Sequence, residues 1–440
     1  MIGSFQNISK IPELKKRILF TLAMLAVYRL GCHIPTPGID ASALTSFFNQ
    51  QQGGILGFYD LFTGGSLRRM SVMALGIMPY ITASIILQLL AVVIPYLEKL
   101  KKEGEQGRKK ITQYTRYGTV ILSIIQGFGI AIGLERMGSG GAMIVPMPGW
   151  GFRLLTVITL TAGTAFLMWL GEQITERGIG NGISLIIFAS IVSRAAPAFA
   201  QTIALVGAGE MSPFFMVIMF ALMVAIIGFV VFMERGQRRI PVQYAKRVVG
   251  RRMYGGQSTH LPLKINSAGV IPPIFASSII AFPATIASFI NVENIPWLQY
   301  IVKSLNQGSI LYNVIYVIFI IFFCYFYTAV NYNPVDIADN MKKHGGFVPG
   351  IRPGKNTAEY IDRVMTRLTF SGAIYISFIC VLPQIFMYKA NLPVALATVF
   401  GGTSLLIMVG VAMDTANQIE SHMLTRHYEG FMKKGLGKAR

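Results

Sequence analysis

Charged residues are scarce in this sequence. Only 13% of its 440 residues are charged and 53% are hydrophobic, whereas a soluble domain usually has about a quarter charged residues. Apolar runs of about 20 residues, the length that crosses the hydrocarbon core of a bilayer, separate the charge clusters. These runs are too numerous, and too rich in Gly, Ser and Thr, for the alternating strands of about 10 residues in a membrane barrel. The composition therefore excludes a soluble domain and predicts an all-α polytopic membrane protein.

Cysteine and histidine are also scarce. Two of the three cysteines lie inside apolar runs and the third lies at the end of one, so a disulfide framework is not expected. Of the five histidines, only His422 and His427 approach metal-ligand spacing, and no cysteine lies near them. The stretch GIRPGKN, Gly350–Asn356, lacks the spacing and the Ser or Thr of a phosphate-binding loop. The sequence therefore predicts neither a metal nor a cofactor.

Ionisable residues are nearly absent from the apolar runs. Apart from residues at the very ends of the runs, the exceptions are few, namely Arg29, near one end of its run, and Arg194. A secondary transporter usually places ionisable groups near the midplane to couple ions or protons. An intramembrane enzyme needs a nucleophile beside a base. The polar residues in the runs are instead Ser, Thr, Asn and Gln, which bond between helices without burying a charge. A protein that lines a path or a seam is therefore favoured. A transporter with inverted repeats and a membrane scaffold that docks ribosomes are the alternatives.

The apolar runs predict ten membrane-spanning helices. They lie near residues 18–34, 72–96, 116–135, 153–171, 183–205, 213–233, 266–290, 310–331, 366–388 and 393–413. The first ten residues are polar and the first run lacks a small-residue cleavage site, so we expect this run to be retained. An even number of spans puts both termini on one side, and that side holds 31 of the 39 Lys and Arg residues. Basic residues favour the cytoplasmic side, so both termini are expected in the cytoplasm.

Three long basic segments connect spans on the predicted cytoplasmic side. They are Leu97–Gly118, Glu234–Lys264 and Asn333–Arg367. The second predicts a β-hairpin, because β-favouring runs flank the turn GRR and place Arg251 and Arg252 at its tip. Basic residues could serve here only to fix the topology and to contact anionic lipid headgroups. The length of the segments and the arginines at the tip favour the docking of a cytoplasmic partner.

Six long motifs carry a resemblance to a known family. They are GIMPYITASIILQLL (Gly76–Leu90), KKEGEQGRKKITQYTRYG (Lys101–Gly118), FLMWLGEQITERGIGNGIS (Phe166–Ser184), QSTHLPLKIN (Gln257–Asn266), FVPGIRPGKNTAEYID (Phe347–Asp362) and FGGTSLLI (Phe400–Ile407). In content and order they resemble the bacterial SecY family, whose members are the central subunits of the protein-conducting channel of the inner membrane. The resemblance implies a channel rather than an enzyme. Such a channel passes unfolded secretory proteins across the bacterial cytoplasmic membrane and releases membrane-protein helices sideways into it, driven by a partner.

The resemblance also implies an architecture of two pseudosymmetric five-helix halves around a central pore. Residues 1–205 would hold spans 1–5, and residues 206–440 would hold spans 6–10 with cytoplasmic loops at about 234–265 and 333–367. A lateral gate is expected between spans 2 and 3 on one side and spans 7 and 8 on the other. The implied partners are SecE, SecG, SecA, the ribosome, signal peptides and nascent chains, with anionic lipids, SecDF and YidC as further candidates.

The family's functional positions transfer to this sequence one residue at a time. The pore ring falls on Ile77, Ile81, Ile187, Ile274 and Ile407. The lateral gate falls on Thr82, Gln88, Gln126, Asn266 and Phe282. The docking positions for SecA and the ribosome fall on Arg251, Arg252 and Arg352. The ring has support beside the resemblance, because residues four apart share a helix face and branched aliphatic side chains form a constriction that dewets and blocks ions.

The second predicted span begins with two arginines. Ser66–Tyr96 is too long for one upright span of about 20 residues, and Arg68 and Arg69 would each cost about 2.5–3.5 kcal/mol at the bilayer centre. We therefore predict a short external helix, roughly Ser66–Ala74, before the spanning helix. The resemblance identifies residues 64–75 as the plug of the channel. Its candidate site residues are Gly64, Gly65, Ser66, Leu67, Arg68, Arg69, Met70, Ser71, Val72 and Met73.

Overall fold

The computed structural model describes residues 11–40, 42–44, 63–136, 138–139, 142–209, 211–244, 247–249, 252–254, 258–289, 309–390 and 401–436. The helices are α1 Pro12–Gly31, α2 Met78–Val93, α3 Pro95–Lys102, α4 Glu105–Arg136, α5 Trp150–Arg177, α6 Gly182–Gly207, α7 Pro213–Arg235, α8 Ile271–Phe289, α9 Ile310–Asn331, α10 Pro334–Lys343, α11 Lys355–Ala390 and α12 Gly402–Leu436. The strands are β1 Gly138–Ser139, β2 Ala142–Met143, β3 Gln237–Tyr244, β4 Arg247–Val249, β5 Arg252–Tyr254, β6 Ser258–Lys264 and β7 Gly346–Phe347.

These elements confirm the all-α polytopic class. Each of the ten predicted spans overlaps one helix, and the overlapping helices are α1, α2, α4–α9, α11 and α12. Within the described residues, six helices are long and apolar enough to cross a membrane, namely α4, α5, α6, α7, α9 and α11, and α2 with α3 would make a seventh. Large apolar side chains on α7, including Phe214, Phe220 and Phe232, are exposed, as expected of a surface that faces lipid.

The second span bends sharply where it leaves the apolar region. The axes of α2 and α3 meet at 102°, because Ile94 is extended (φ −95°, ψ 112°) ahead of Pro95. The segment Leu97–Gly118, predicted as a loop, is instead helical, since it forms α3 and the first turns of α4. Two side chains of α3, Leu97 and Leu100, are buried. The charged residues of this segment lie where the second predicted span ends, but the chain stays helical through them in α3 and α4.

The predicted β-hairpin is confirmed. Strands β3 and β6 pair antiparallel, and β4 and β5 continue the ladder in the same register to the pair Val249↔Arg252. The sequence did not predict β7, which pairs with the other edge of β3 through Gln243↔Phe347. The two long loops at about 234–265 and 333–367 therefore share one sheet. We call the side of the molecule that carries this sheet the hairpin face.

A small apolar core lies under the sheet. Its buried members are Ile240, Leu263, Val348, Ile361 and Met365. The last two belong to the start of α11. The sheet is thus packed on a long helix that continues into the membrane-spanning bundle, and the hairpin face is a folded layer rather than a set of separate loops.

Candidate functional site

The five isoleucines assigned to a pore ring lie in one apolar cluster. Ile77 and Ile81 come from the start of α2, Ile187 from α6, Ile274 from α8 and Ile407 from α12. Four of them are buried, and Ile81 is half-buried against the same cluster. Branched apolar side chains from four helices thus meet in one cluster.

Residues 63–77, which we call the covering segment, lead into this cluster. The prediction of a helix from Ser66 to Ala74 is wrong, because the segment is a series of turns. The Ala74 N–H donates to the Ser71 carbonyl three residues back, at 2.8 Å. Met70 has a positive φ of 44°, which no helix continues through. Met73 of the segment joins the ring cluster.

Two backbone hydrogen bonds explain why the segment leaves helical geometry. The Thr36 N–H donates to the Met70 carbonyl (2.8 Å), and the Val72 N–H donates to the Ile34 carbonyl (2.9 Å). They enclose an isolated antiparallel bridge between Pro35 and Ser71. The chain after α1 therefore bonds backbone groups that the predicted helix would need for its own hydrogen bonds. A bridge of a single residue pair leaves no side-chain pattern in the sequence, so it could not be predicted.

Glycines bound the covering segment at both ends. Gly64 and Gly65 have φ of 65° and 86°, and Gly76 has φ of 58°, a region that other residues rarely adopt. A Cβ on Gly76 would also lie 2.9 Å from Cγ2 of Thr63. The chain reverses at these points and returns to α2 in a compact loop.

The middle of the covering segment touches α5 through its backbone. The Val72 carbonyl lies so close to Gly163 that a Cβ there would overlap it. Gly133 of α4, by contrast, has nothing within 4 Å of the point that a Cβ would occupy. The helix α5 therefore needs a glycine at position 163 for the segment to dock.

Gly163→Ala is expected to lower the stability of the folded protein by about 1–3 kcal/mol, because the new methyl group overpacks the contact with Val72. Gly133→Ala is the matched control and should raise stability by about 0.5–1 kcal/mol, since it only removes chain entropy from a helix. Thermal unfolding in detergent measures both. Equal shifts in the two variants would contradict the docking contact.

An outer apolar cluster holds the other side of the covering segment. It includes Leu67, Met70, Ala74 and Leu75 of the segment, together with Leu44, Ala131, Leu134, Ile144, Val145, Phe152 and Leu160. Arg68 is half-buried and Arg69 is exposed. Neither arginine is therefore buried, as the cost of placing charge in hydrocarbon requires.

An ion pair closes the outer cluster on the side opposite the hairpin face. The Arg153 guanidinium lies 2.6 Å from Glu135, whose carboxylate also accepts the Gly149 N–H at 2.9 Å. The Arg153 guanidinium stacks over Trp150 at 5.3 Å. The contacts of Glu135 with Arg153 and Gly149 join the end of α4 to the start of α5.

A buried pair of hydroxyl groups lies beside the ring cluster. The hydroxyls of Tyr28 on α1 and Ser190 on α6 are 2.5 Å apart, and both side chains are buried. The Tyr28 hydroxyl also lies 3.4 Å from the Thr63 carbonyl of the covering segment. The Ser190 hydroxyl lies 2.8 Å from the Ile186 carbonyl of its own helix.

Arg29 makes a second polar contact with the covering segment. Its Nη1 donates to the Gly64 carbonyl at 3.3 Å. Arg29 is one of the few ionisable residues that the sequence places inside a predicted span. Its position next to a backbone carbonyl gives the guanidinium a partner and lets α1 hold the first glycine turn of the segment.

The predicted gate residues on α2 bond within their own helix. Thr82 donates to the Met78 carbonyl at 3.0 Å, and Gln88 donates to the Ser84 hydroxyl at 3.2 Å. Gln126 of α4 is half-buried. The structure therefore does not join these side chains into one polar network.

The predicted gate residues near α8 lie in a different setting. Asn266 is buried and donates to the Glu234 carboxylate at the end of α7, at 2.6 Å. Phe282 belongs to α8, but its side chain lies outside the described residues. The contact between α2 and α8 is apolar instead, since Ile85 lies in one cluster with Phe275, Ala276 and Ile280.

Two of the three predicted docking residues, Arg252 and Arg352, lie in the described part of the hairpin face. Arg352 is exposed in the loop before α11, and its carbonyl accepts the Thr357 hydroxyl at 2.9 Å. Arg252 begins β5, although its side chain lies outside the described residues, as does the whole of Arg251. In the part of the chain that the structure describes, no group of three His, Cys, Asp or Glu residues is placed to hold a metal ion.

Known proteins match nearly the whole length of this chain. The family model described as SecY matches residues 71–416. The chain is 55% identical over 425 residues to the protein translocase subunit SecY of Escherichia coli K12, covering 96% of this chain and 95% of the relative. It is 53% identical over 430 residues to the subunit of the same name from Vibrio cholerae, covering 97% and 95%.

Two solved structures share the fold. One is a protein-conducting channel, with a TM-score of 0.67 and 18% identity over 94% of this chain and 93% of that chain. The other is Sec61 in a canine ribosome-channel complex from the endoplasmic reticulum, with a TM-score of 0.63 and 17% identity over the same shares. Both are all-α polytopic membrane proteins, as this chain is.

Proposed function

The chain belongs to the SecY family, and on that premise we propose that it is the pore subunit of a bacterial protein-conducting channel and not an enzyme. It passes unfolded secretory proteins across the cytoplasmic membrane and releases membrane-protein helices sideways into it. The observation that carries this proposal is the isoleucine cluster drawn from four helices, with a turn-rich segment docked against it. A ring of branched apolar side chains blocks ions when closed, and it can spread around a peptide because nothing bonds across it.

The covering segment is the plug of this channel. Beside its apolar packing, it is held by backbone hydrogen bonds to residues 34 and 36 and by polar contacts with Tyr28 and Arg29. Each such hydrogen bond contributes about 0.5–1.5 kcal/mol net, and we propose that the segment is displaced while the bundle stays folded. Residues 64–75, with their flanking glycines, then move away from the ring when a polypeptide enters.

The seam between α2 and α4 on one side and α8 and α9 on the other is the lateral gate, with residues 1–205 and 206–440 as the two halves that part. Thr82 and Gln88 bond within α2 rather than across the seam, and Ile85 meets α8 through apolar contacts. Lipid tails can replace such contacts, so parting the seam costs little. An apolar signal-peptide helix would leave the pore by this route.

The hairpin face is cytoplasmic, together with both termini, and it docks the partner that supplies the energy. Arg251, Arg252 and Arg352 lie on or beside the loops of this face, and arginine suits both acidic protein surfaces and phosphate-rich RNA. SecA and the ribosome are the proposed driving partners, and solved channels of this fold include ribosome-bound Sec61 and Ssh1 complexes. SecE and SecG are the proposed membrane partners, with anionic lipids around them.

Reconstitution tests the function directly. Purified chain in lipid vesicles, with SecE, SecG and SecA, should protect a radiolabelled secretory precursor from added protease when ATP is present. Protection should disappear without ATP or when this chain is omitted. A precursor that stays accessible under all conditions would contradict the channel function.

Arg352→Glu is expected to reduce partner-dependent translocation about tenfold or more, because it places a carboxylate where an acidic surface or a phosphate docks. Lys355→Glu changes the net charge equally, three residues away, at a side chain that is 90% exposed. It is the matched control and should retain most activity. Equal loss in both variants would show a general charge effect and contradict a specific role for Arg352. Membrane insertion of both variants is checked by carbonate extraction.

A further inference from the structure

Tyr28 and Ser190 couple the covering segment to a helix that carries the ring. Ser190 lies on α6 three residues after the ring residue Ile187, so the two side chains share one face of the helix. The Tyr28 hydroxyl lies between Ser190 and the Thr63 carbonyl of the covering segment. A movement of α6 that widens the ring therefore also displaces the group to which Tyr28 is bonded.

The protons in this cluster have more than one acceptor. A tyrosine or serine hydroxyl has one proton to donate and can accept in turn. The Tyr28 proton can go to the Thr63 carbonyl or to the Ser190 oxygen, and the Ser190 proton can go to the Tyr28 oxygen or to the Ile186 carbonyl. Two complete arrangements therefore exist for the same pair of buried hydroxyls.

We infer that this pair is a releasable latch for the covering segment, and the inference rests on the proposed channel function. In the closed arrangement Ser190 donates to Tyr28, and Tyr28 donates to the Thr63 carbonyl. In the released arrangement the segment has left, Tyr28 donates to Ser190, and Ser190 donates to the Ile186 carbonyl. Neither hydroxyl is left without an acceptor in either state, so release avoids the penalty of a buried unsatisfied donor.

The latch makes opposite predictions for its two residues. Tyr28→Phe removes the donor to Thr63, while Ser190 keeps its bond to Ile186, so the segment should detach more readily. Ser190→Ala leaves Tyr28 with the Thr63 carbonyl and the Cys32 sulfur, which is a weak acceptor, and detachment would then leave the buried Tyr28 hydroxyl with the sulfur alone. The segment should therefore be held more tightly. Tyr28→Phe combined with Ser190→Ala should behave as Tyr28→Phe alone.

Labelling of the covering segment tests the latch without using transport. Leu67→Cys places a thiol at a buried position of the segment, and a water-soluble maleimide labels it in vesicles when the segment detaches. The three native cysteines are buried and give the background. Tyr28→Phe should speed labelling of this thiol about tenfold and Ser190→Ala should slow it by a similar factor.

Ser193→Ala is the matched control, because the Ser193 hydroxyl donates to the Ser190 carbonyl on the same helix and does not take part in the relay. It should leave the labelling rate unchanged. Faster labelling in Ser190→Ala, or equal rates in all variants, would overturn the latch. Precursor translocation in the same vesicles separates the two proposals. If labelling shifts in opposite directions while translocation responds to neither variant, the latch stands and the role of the covering segment in transport fails.

Discussion

Replacing Ile187 and Ile407 with asparagine is expected to make the resting protein conduct ions. Both side chains are buried in the ring cluster, on α6 and α12. An amide at this level holds water in a constriction that otherwise dewets. The conductance of planar bilayers containing the double variant should rise about tenfold or more above that of the unmodified protein.

The matched control for this experiment is Ile376→Asn. Ile376 of α11 is fully buried and is not a ring residue. It belongs to the apolar cluster drawn from α2, α7, α8, α9, α11 and α12, against which the ring residue Ile81 also packs. The exchange is chemically the same as each of the two ring exchanges, because one buried isoleucine becomes one buried amide. The control should therefore lose stability without gaining conductance. Unchanged conductance in the ring variant, or an equal rise in the control, would contradict the ring assignment.

A disulfide between positions 35 and 71 is expected to stop translocation. Pro35 and Ser71 face each other in an isolated antiparallel bridge, between two hydrogen bonds that join their neighbours. Such non-hydrogen-bonded pairs have Cα atoms about 4.5 Å apart, which lies within the range that a disulfide spans. Pro35→Cys combined with Ser71→Cys should thus form a bond under oxidation that ties the covering segment to the chain after α1.

Protease protection of a precursor measures the result. The oxidised double variant should protect none, and reduction with dithiothreitol should restore protection, since the covalent tether prevents the segment from leaving the ring. Each single variant, treated with the same oxidant, controls for the loss of Pro35 or of the Ser71 hydroxyl. Full protection by the oxidised double variant would show that the segment need not separate from residues 34–36.

Much of this architecture could be predicted because it depends on long patterns. Apolar runs gave helices that overlap all ten predicted spans, and alternating β-favouring residues around GRR gave the hairpin of β3 to β6. The ring isoleucines came from the family resemblance, and the structure places them in one cluster. Their role in sealing a pore stays a prediction.

The failures share a physical cause, which is competition from distant backbone. The predicted helix at Ser66–Ala74 gave way to turns because the Ile34 carbonyl accepts a hydrogen bond from the segment and the Thr36 N–H donates one to it. Strand β7 is two residues long and exists through its pairing with β3. Tyr28 and Ser190 are 162 residues apart, and each alone is an ordinary residue of an apolar helix. No local pattern contains such information.

The shared sheet on the hairpin face has a mechanical consequence. Strand β6 ends at Lys264, a few residues before α8 begins at Ile271, and β7 leads through the core under the sheet into α11. A load applied to strands β3 and β6 is therefore transmitted through paired strands and a packed core. This load reaches α8. The same helix supplies Ile274 to the ring and shares an apolar cluster with Ile85 of α2. A driving partner that pushes on this sheet would thus move the ring and the seam together.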